Sequence, residues 1–371
     1  MSVGKFGTTV IKKNKGVPLV KVDNARPSVL ILASEKVGIN YYLYDDLTAL
    51  EKDYANLQLK DKEYINDLKA ANFSSQIAII TYHDDTLNTT QNCLDAIDKL
   101  NDCENALKIR AFWVLCDLDN DDTYFKLHQN AVKMGFIFFH QLSENTESAI
   151  LTKTENYPVQ QVIISYQLVT RIGGGIRPLK AFLLARYSEL LASEPYAFGK
   201  SLSSKYLKGI TAINTIATYL EGEDTTADRL RANYITMVVS DDGFKVWGCE
   251  CKIQKLEDDF ADIRTGIIIN EYAREIKKIL KKVNDEDLEL FSTVFAGITD
   301  FNNRLIANKV VAYAKISIDL AKNTETSLAG CEISIDFDLQ ERNVAKKIYG
   351  FVNRVTGHLG VIIENIQRAA S

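Results

Sequence analysis

The sequence predicts an α/β protein: a first domain with alternating strands and helices, followed by an α+β domain, with extended arms at the termini. Three observations predict it. From Ser28 to about Ser143, short apolar runs alternate with helical patterns, which implies βαβ units and a mainly parallel sheet. Beyond Pro195 the alternation gives way to helices, an Asp-Gly hairpin and two strands of period two. The segment Met1–Asn24 holds three glycines and five lysines with sparse hydrophobics, too few to fold alone. The expected boundaries are 1–25 for the N-terminal arm, 26–200 for the first domain and 201–371 for the second domain with a C-terminal arm.

In the arm, Thr8-Thr9-Val10-Ile11 and Pro18–Val22 have strand character, so it is either disordered or waiting for a partner strand. The candidate pairing residues are Thr8, Val10, Ile11, Leu19, Val20 and Val22. Pro27 introduces a buried strand, Ser28–Ala33. Helical pattern then covers Tyr44–Gln58 and Asp61–Lys69, followed by strand Gln76–Tyr82. Helix Asn88–Leu107 carries Cys93, Ile97 and Leu100 on one face. Strand Ile109–Leu118, helix Asp122–Met134 and strand Gly135–Leu142 come next. A further strand, Gln161–Val169, leads through Gly173-Gly174-Gly175 into helix Pro178–Ala192.

In the second half, helices Ile210–Glu221 and Thr225–Arg231 precede strand Tyr234–Val239, an Asp242-Gly243 turn and a strand through Trp247. Trp247 is expected to bury itself against the apolar face (Ile269, Ala273, Ile276, Leu280) of the next helix, Gly266–Lys282. Helix Asp285–Ile306 follows. In Val310–Leu320 the even-numbered apolar positions share one face, and in Gly330–Leu339 the odd-numbered ones do, so the two strands are expected to pair. Helix Asn343–Val355 and the apolar stretch Leu359–Ile366 close the chain.

Composition narrows the function classes. With 371 residues, 46% of them hydrophobic, the chain has volume for two or three domains. A net charge of −5 lacks the basic excess of a general nucleic-acid binder. No apolar stretch is long enough to span a bilayer, so no membrane partner is expected. Six scattered cysteines do not form a disulfide framework and read as reduced, buried thiols of a cytoplasmic product.

No catalytic set, cofactor site or metal site emerges. Asp117, Asp119, Asp121 and Asp122 resemble a calcium loop, but Asp122 and His128 stand where an EF-hand needs Gly and Glu, so an acidic loop capping the next helix is the reading taken. Gly199-Lys200-Ser201 fails as a P-loop because Glu194 replaces the first glycine. Gly173-Gly174-Gly175 lacks dinucleotide spacing and reads as a turn. The four histidines are scattered, and Cys249 and Cys251 lack a second thiol pair, so both are expected to face the core.

Leu230, Asn233, the strand after it, Gly243, Val246, Trp247 and Gly248, with Arg264 and a long helix downstream, resemble a pattern of contractile phage tail sheath proteins. The usual Thr after Trp-Gly is replaced by Cys249-Glu250-Cys251. The order of elements from Asn88 to Leu142, the segment Phe198–Ile210, and Asn323-Thr324 with Ala329-Gly330 are also similar to that family. The resemblance spans roughly Val29 to Leu339. It implies a virion structural protein of a bacteriophage or phage-like particle, a subunit that polymerises helically around a tail tube and contracts to drive it through a cell envelope. It also implies strand exchange between subunits through the arms, as well as tube, baseplate and tail terminator proteins as partners. The expected location is the virion tail, after assembly in the bacterial host cytoplasm. Lys346, Lys347 and Arg354 are candidate tube contacts. The rival reading is a soluble α/β enzyme with an unrecognised site.

Overall fold

A computed structural model of the chain describes residues 26–85, 87–107, 109–220, 223–251, 261–280, 289–318, 321–324 and 334–342. The expected arm strands, the helix Asn343–Val355 and the stretch after it lie outside these residues. The first layer runs β1 (Ser28–Ser34), β2 (Asn40–Tyr44), α1 (Leu47–Lys52), α2 (Tyr54–Leu57), α3 (Glu63–Ala70), β3 (Ile77–His83), α4 (Thr89–Asp98) and α5 (Leu100–Leu107). It continues through β4 (Trp113–Cys116), α6 (Asp121–Met134), β5 (Ile137–Gln141), α7 (Glu147–Thr154) and β6 (Val162–Ser165).

These six strands form one sheet in the order β2-β3-β1-β4-β5-β6. Strand β2 is antiparallel to β3, and all other pairs are parallel. A parallel sheet is covered on both faces, so its strands are apolar at every position rather than at alternate ones. In β1, Val29 and Ile31 join the core containing Cys93, Ala96 and Ile97 of α4 with Tyr124 and Leu127 of α6. Leu30 and Leu32 join the opposite core, which contains Leu50, Ile65 and Leu68.

The chain continues through β7 (Leu168–Arg171), β8 (Ile176–Pro178), α8 (Lys180–Ala192), β9 (Ile210–Ile213), α9 (Thr226–Ala232), β10 (Met237–Ser240), β11 (Phe244–Trp247) and β12 (Glu250–Cys251). Then come β13 (Ala261–Asp262), α10 (Ile263–Leu280), α11 (Glu289–Ala307), β14 (Val311–Ser317) and β15 (Asp336–Glu341). Strands β8, β7 and β9 make a three-stranded antiparallel sheet, and β10–β11, β12–β13 and β14–β15 make pairs. The core beneath β1 is continuous with α8, with Ile263, Ile267 and Ile268 of α10, and with Ile298 and Phe301 of α11.

Several expectations change. The helix expected over Tyr44–Gln58 starts late and breaks: Tyr44 belongs to edge strand β2, Asp46 caps α1 through the Ala49 N–H at 2.8 Å, and Asp53 separates α1 from α2. Pairing of the tyrosine-rich Asn40–Tyr44 with β3 decides its conformation. Helix Asn88–Leu107 divides at Lys99. The strand Gln161–Val169 splits between two sheets because Gln167 turns inward. Its amide donates to the Val238 carbonyl at 3.0 Å and accepts from the Val238 N–H at 2.6 Å.

Where helix Ile210–Glu221 is expected, the described residues 210–220 are instead strand β9 and a loop, with Ile216 and Leu220 exposed. The open edge of β7 captures Ile210–Ile213. Gly209 (φ +85°) precedes them where a Cβ would lie 2.8 Å from the Ala70 backbone. Helix α7 and strand β2 had no separate signal in the sequence. The hairpin is shorter than expected, with Ser240 opposite Phe244 and Asp242 and Gly243 both at positive φ.

Candidate assembly surface

In a doubly wound sheet, chemistry is expected at the C-terminal edge where strand order reverses, here between β1 and β4. That crevice holds the chain's own charges. Asp117 accepts hydrogen bonds from the Ala33 N–H and the Tyr82 hydroxyl, each at 2.7 Å, tying together the ends of β1, β3 and β4. The fully buried Lys180 ammonium donates to the Cys116 carbonyl at 2.6 Å and to the Asp119 carboxylate. Burial pushes Asp117 up to about 6 and His140 down to about 4. For Lys180, burial opposes the charge, but Asp119, Tyr64 and Cys116 together outweigh it and hold the ammonium above its usual range. The result is a charge-paired plug. Among the described residues no group of three His, Cys, Asp or Glu side chains is placed to hold a metal.

The acidic loop therefore does only part of the expected capping. Asn120 is the N-cap of α6, accepting from the Thr123 N–H at 2.9 Å, and Asp121 and Asp122 lie in the first turn. Asp117 and Asp119 turn inward. No motif pointed to Lys180, because its partner lies 61 residues away. Of the other candidates, Gly199-Lys200-Ser201 packs against Val310, and the Ser201 hydroxyl donates to Asp262 at 2.6 Å. The three glycines form the β7–β8 turn at positive φ.

The hairpin pattern is a set of structural positions. Leu230 and Val246 are buried, and the Asn233 amide donates to the Arg229 carbonyl at 2.8 Å at the end of α9. Gly248 (φ +128°) sits where a Cβ would lie 2.8 Å from the Ile235 carbonyl oxygen, which accounts for Gly after Trp. The Arg264 guanidinium reaches the Gly199 carbonyl at 3.4 Å. Cys249 and Cys251 both enter the core, as expected. Trp247 does not pack on α10. It is half-buried in the other core, with Arg231 4.3 Å over its ring and Tyr219 edge-on at 5.0 Å. The cation–π contact, reinforced by Arg231 bonding Glu250 at 2.6 and 2.8 Å, competes successfully for the indole.

Part of the helix face expected to cover Trp247 is therefore left uncovered among the described residues. On α10, Ile268 and Ile279 are buried, and Tyr272 stacks on Phe301 at 5.9 Å and meets Phe337 of β15 edge-on at 6.1 Å. Ile269, 38% exposed, lines a groove of about 630 Å³ with Ala273, Ile276, Leu280, Phe337 and Leu339. The expected pairing of the last two strands holds, with Ile316 opposite Phe337 and Ala314 opposite Leu339. A register shift between Val311 and Tyr313 breaks the expected single apolar face, burying both Val310 and Val311 and exposing Ala312. Among the described residues β14 and β15 pair only with each other, leaving an outer edge on each. The candidate residues Thr8, Val10, Ile11, Leu19, Val20, Val22, Lys346, Lys347 and Arg354 all lie outside the described residues.

This fold is similar to that of solved chains from contractile sheaths. A sheath chain of an extracellular contractile injection system, the PVC sheath complex in its contracted state, superposes with a TM-score of 0.70 at 14% identity, covering 96% of this chain and 99% of that one. A chain of the anti-feeding prophage baseplate gives 0.67 at 15% identity, covering 96% and 100%. The sheath tail protein of Desulfitobacterium hafniense gives 0.53 at 10% identity, covering 80% and 91%. No protein-family model and no curated protein matches the sequence.

Proposed function

We propose that this chain is a structural subunit of a contractile sheath, polymerising helically around a tail tube and contracting to drive it through a cell envelope. The observation that carries this reading is the likeness of fold to a sheath chain over 96% of this chain and 99% of that one. In this reading residues 26–200 are the outer domain and 201–371 the inner assembly domain. Residues 1–25 form an arm whose Thr8, Val10, Ile11, Leu19, Val20 and Val22 add a strand to a neighbouring copy. Exposed strand edges supply unpaired N–H and C=O groups for such addition. Charge favours it too: residues 1–25 carry five lysines against Asp23 alone, in a chain of net charge −5.

The partners are further copies of this chain, a tail tube protein touching Lys346, Lys347 and Arg354, and baseplate and tail terminator proteins. The location is the tail of a phage or phage-like particle assembled in a bacterial cytoplasm. The protein has no catalytic role, and the plug of Lys180 with Asp119 at the sheet's crevice supports this. Negative-stain microscopy of the purified protein tests the reading. Tubes or polysheath are expected, and a small oligomer at every concentration and salt condition would overturn it.

A further inference from the structure

Two buried thiols meet in the outer layer. Cys93 lies on α4 and Cys116 ends β4; their sulfurs are 3.3 Å apart, and both side chains are sealed in the same core. The strand and helix carrying them are held independently. Cys116 lies on a strand paired on both sides, and the Asn92 side chain beside Cys93 donates to the His83 carbonyl at 2.9 Å. The sulfurs therefore meet as a consequence of the fold.

We infer that Cys93 and Cys116 form an oxidative modification site, a latent disulfide that closes when the protein meets a peroxide. A disulfide bond is about 2.05 Å long, so the sulfurs have to approach by roughly 1.3 Å. The chemistry balances with hydrogen peroxide as oxidant. One thiolate attacks a peroxide oxygen, breaking the O–O bond and giving a sulfenic acid and, after proton transfer, water. The second thiol attacks that sulfur, forming the S–S bond and releasing a second water. Two thiols are oxidised and one peroxide is reduced.

The shared hydrogen bond and burial together set the rate. The hydrogen bond shared with Cys93, and then burial, push the Cys116 thiol well above its usual range, so thiolate is scarce and closure is slow. Once formed, the bond braces α4 to β4 across a loop of only 23 residues' separation.

The test is to treat the native protein with hydrogen peroxide, block free thiols, digest it and map the peptides. A Cys93–Cys116 linked peptide is expected, lighter than the two thiols by about 2 Da. The intact protein should melt about 5 °C higher, with the shift reversed by dithiothreitol. Cys93→Ser should abolish the shift and Cys103→Ser should keep it. The inference is overturned if native protein yields no linked peptide under conditions that cross-link the urea-unfolded chain. It is also overturned if these cysteines appear only as sulfinic acids or intermolecular links. Tube formation is not needed for any of these readouts.

Discussion

The six-stranded layer and the β14–β15 module handle the same physical demands in opposite ways. In the layer, β1 is paired on both sides, both faces of the sheet are covered, and the buried Lys180 ammonium is neutralised by the partly exposed Asp119. In the module, β14 and β15 each keep an outer edge among the described residues, and Ile269, Ala273 and Leu280 leave an apolar groove open. Among the described residues, the second region is the one with strand edges still open to a further strand. Unpaired strand edges cost little while water solvates them, and they reward a partner that arrives.

The sharpest way to break this comparison is to remove the arm. Deletion of residues 1–22 should abolish tubes seen by electron microscopy while the melting temperature of the soluble protein stays unchanged. Persisting tubes would mean that the open edges are closed by something else.

The two tryptophans should then differ in stability. Trp113 is fully buried in the layer, between Phe112 at 4.6 Å and Tyr187 at 4.8 Å, so Trp113→Ala should cost about 3–5 kcal/mol and give insoluble protein. Trp247 is only half-buried, so Trp247→Ala should cost about 1–2 kcal/mol and leave a folded chain in denaturant melts. Equal losses would place Trp247 deeper than the hairpin allows.

Next is the layer's response to acid. Asp117, raised to about 6 by burial, contributes stability below pH 4 that is lost as pH rises to 6. His140, lowered to about 4 by burial, contributes stability above pH 6.5 that is lost as pH falls to 4. The two slopes oppose, so between pH 4 and 6 these two groups together add little pH dependence to the wild type. Asp117→Asn should then lose about 1.4 kcal/mol per pH unit on acidification, and His140→Gln should gain a similar amount. Urea melts at several pH values measure both, and parallel profiles for the two variants would refute the pairing.

The smallest effect on stability is expected in the groove. Ile269→Asp should change folding stability by less than about 1 kcal/mol because the side chain is already partly in water. Its effect on tube yield, read by sedimentation, should be larger than that of Val132→Asp on α6, which has similar exposure but lies in the finished layer.

The order of strands and helices was legible in the sequence because it depends on local period and on turn residues. The apolar run of β1, the alternation that paired the last two strands, and the Trp-Gly pattern whose glycine meets the Ile235 carbonyl oxygen were all visible as strings. The tertiary structure decided what depends on distant neighbours. It turned Ile210–Ile213 from a helical pattern into a strand because β7 offered an edge, and sent Trp247 to Arg231 rather than to α10. It also brought Lys180 to Asp119 across 61 residues. Periodicity reports which face of an element is apolar. Which surface covers that face, and which charge meets which, is set by packing between segments far apart in the chain, and no local pattern carries that information.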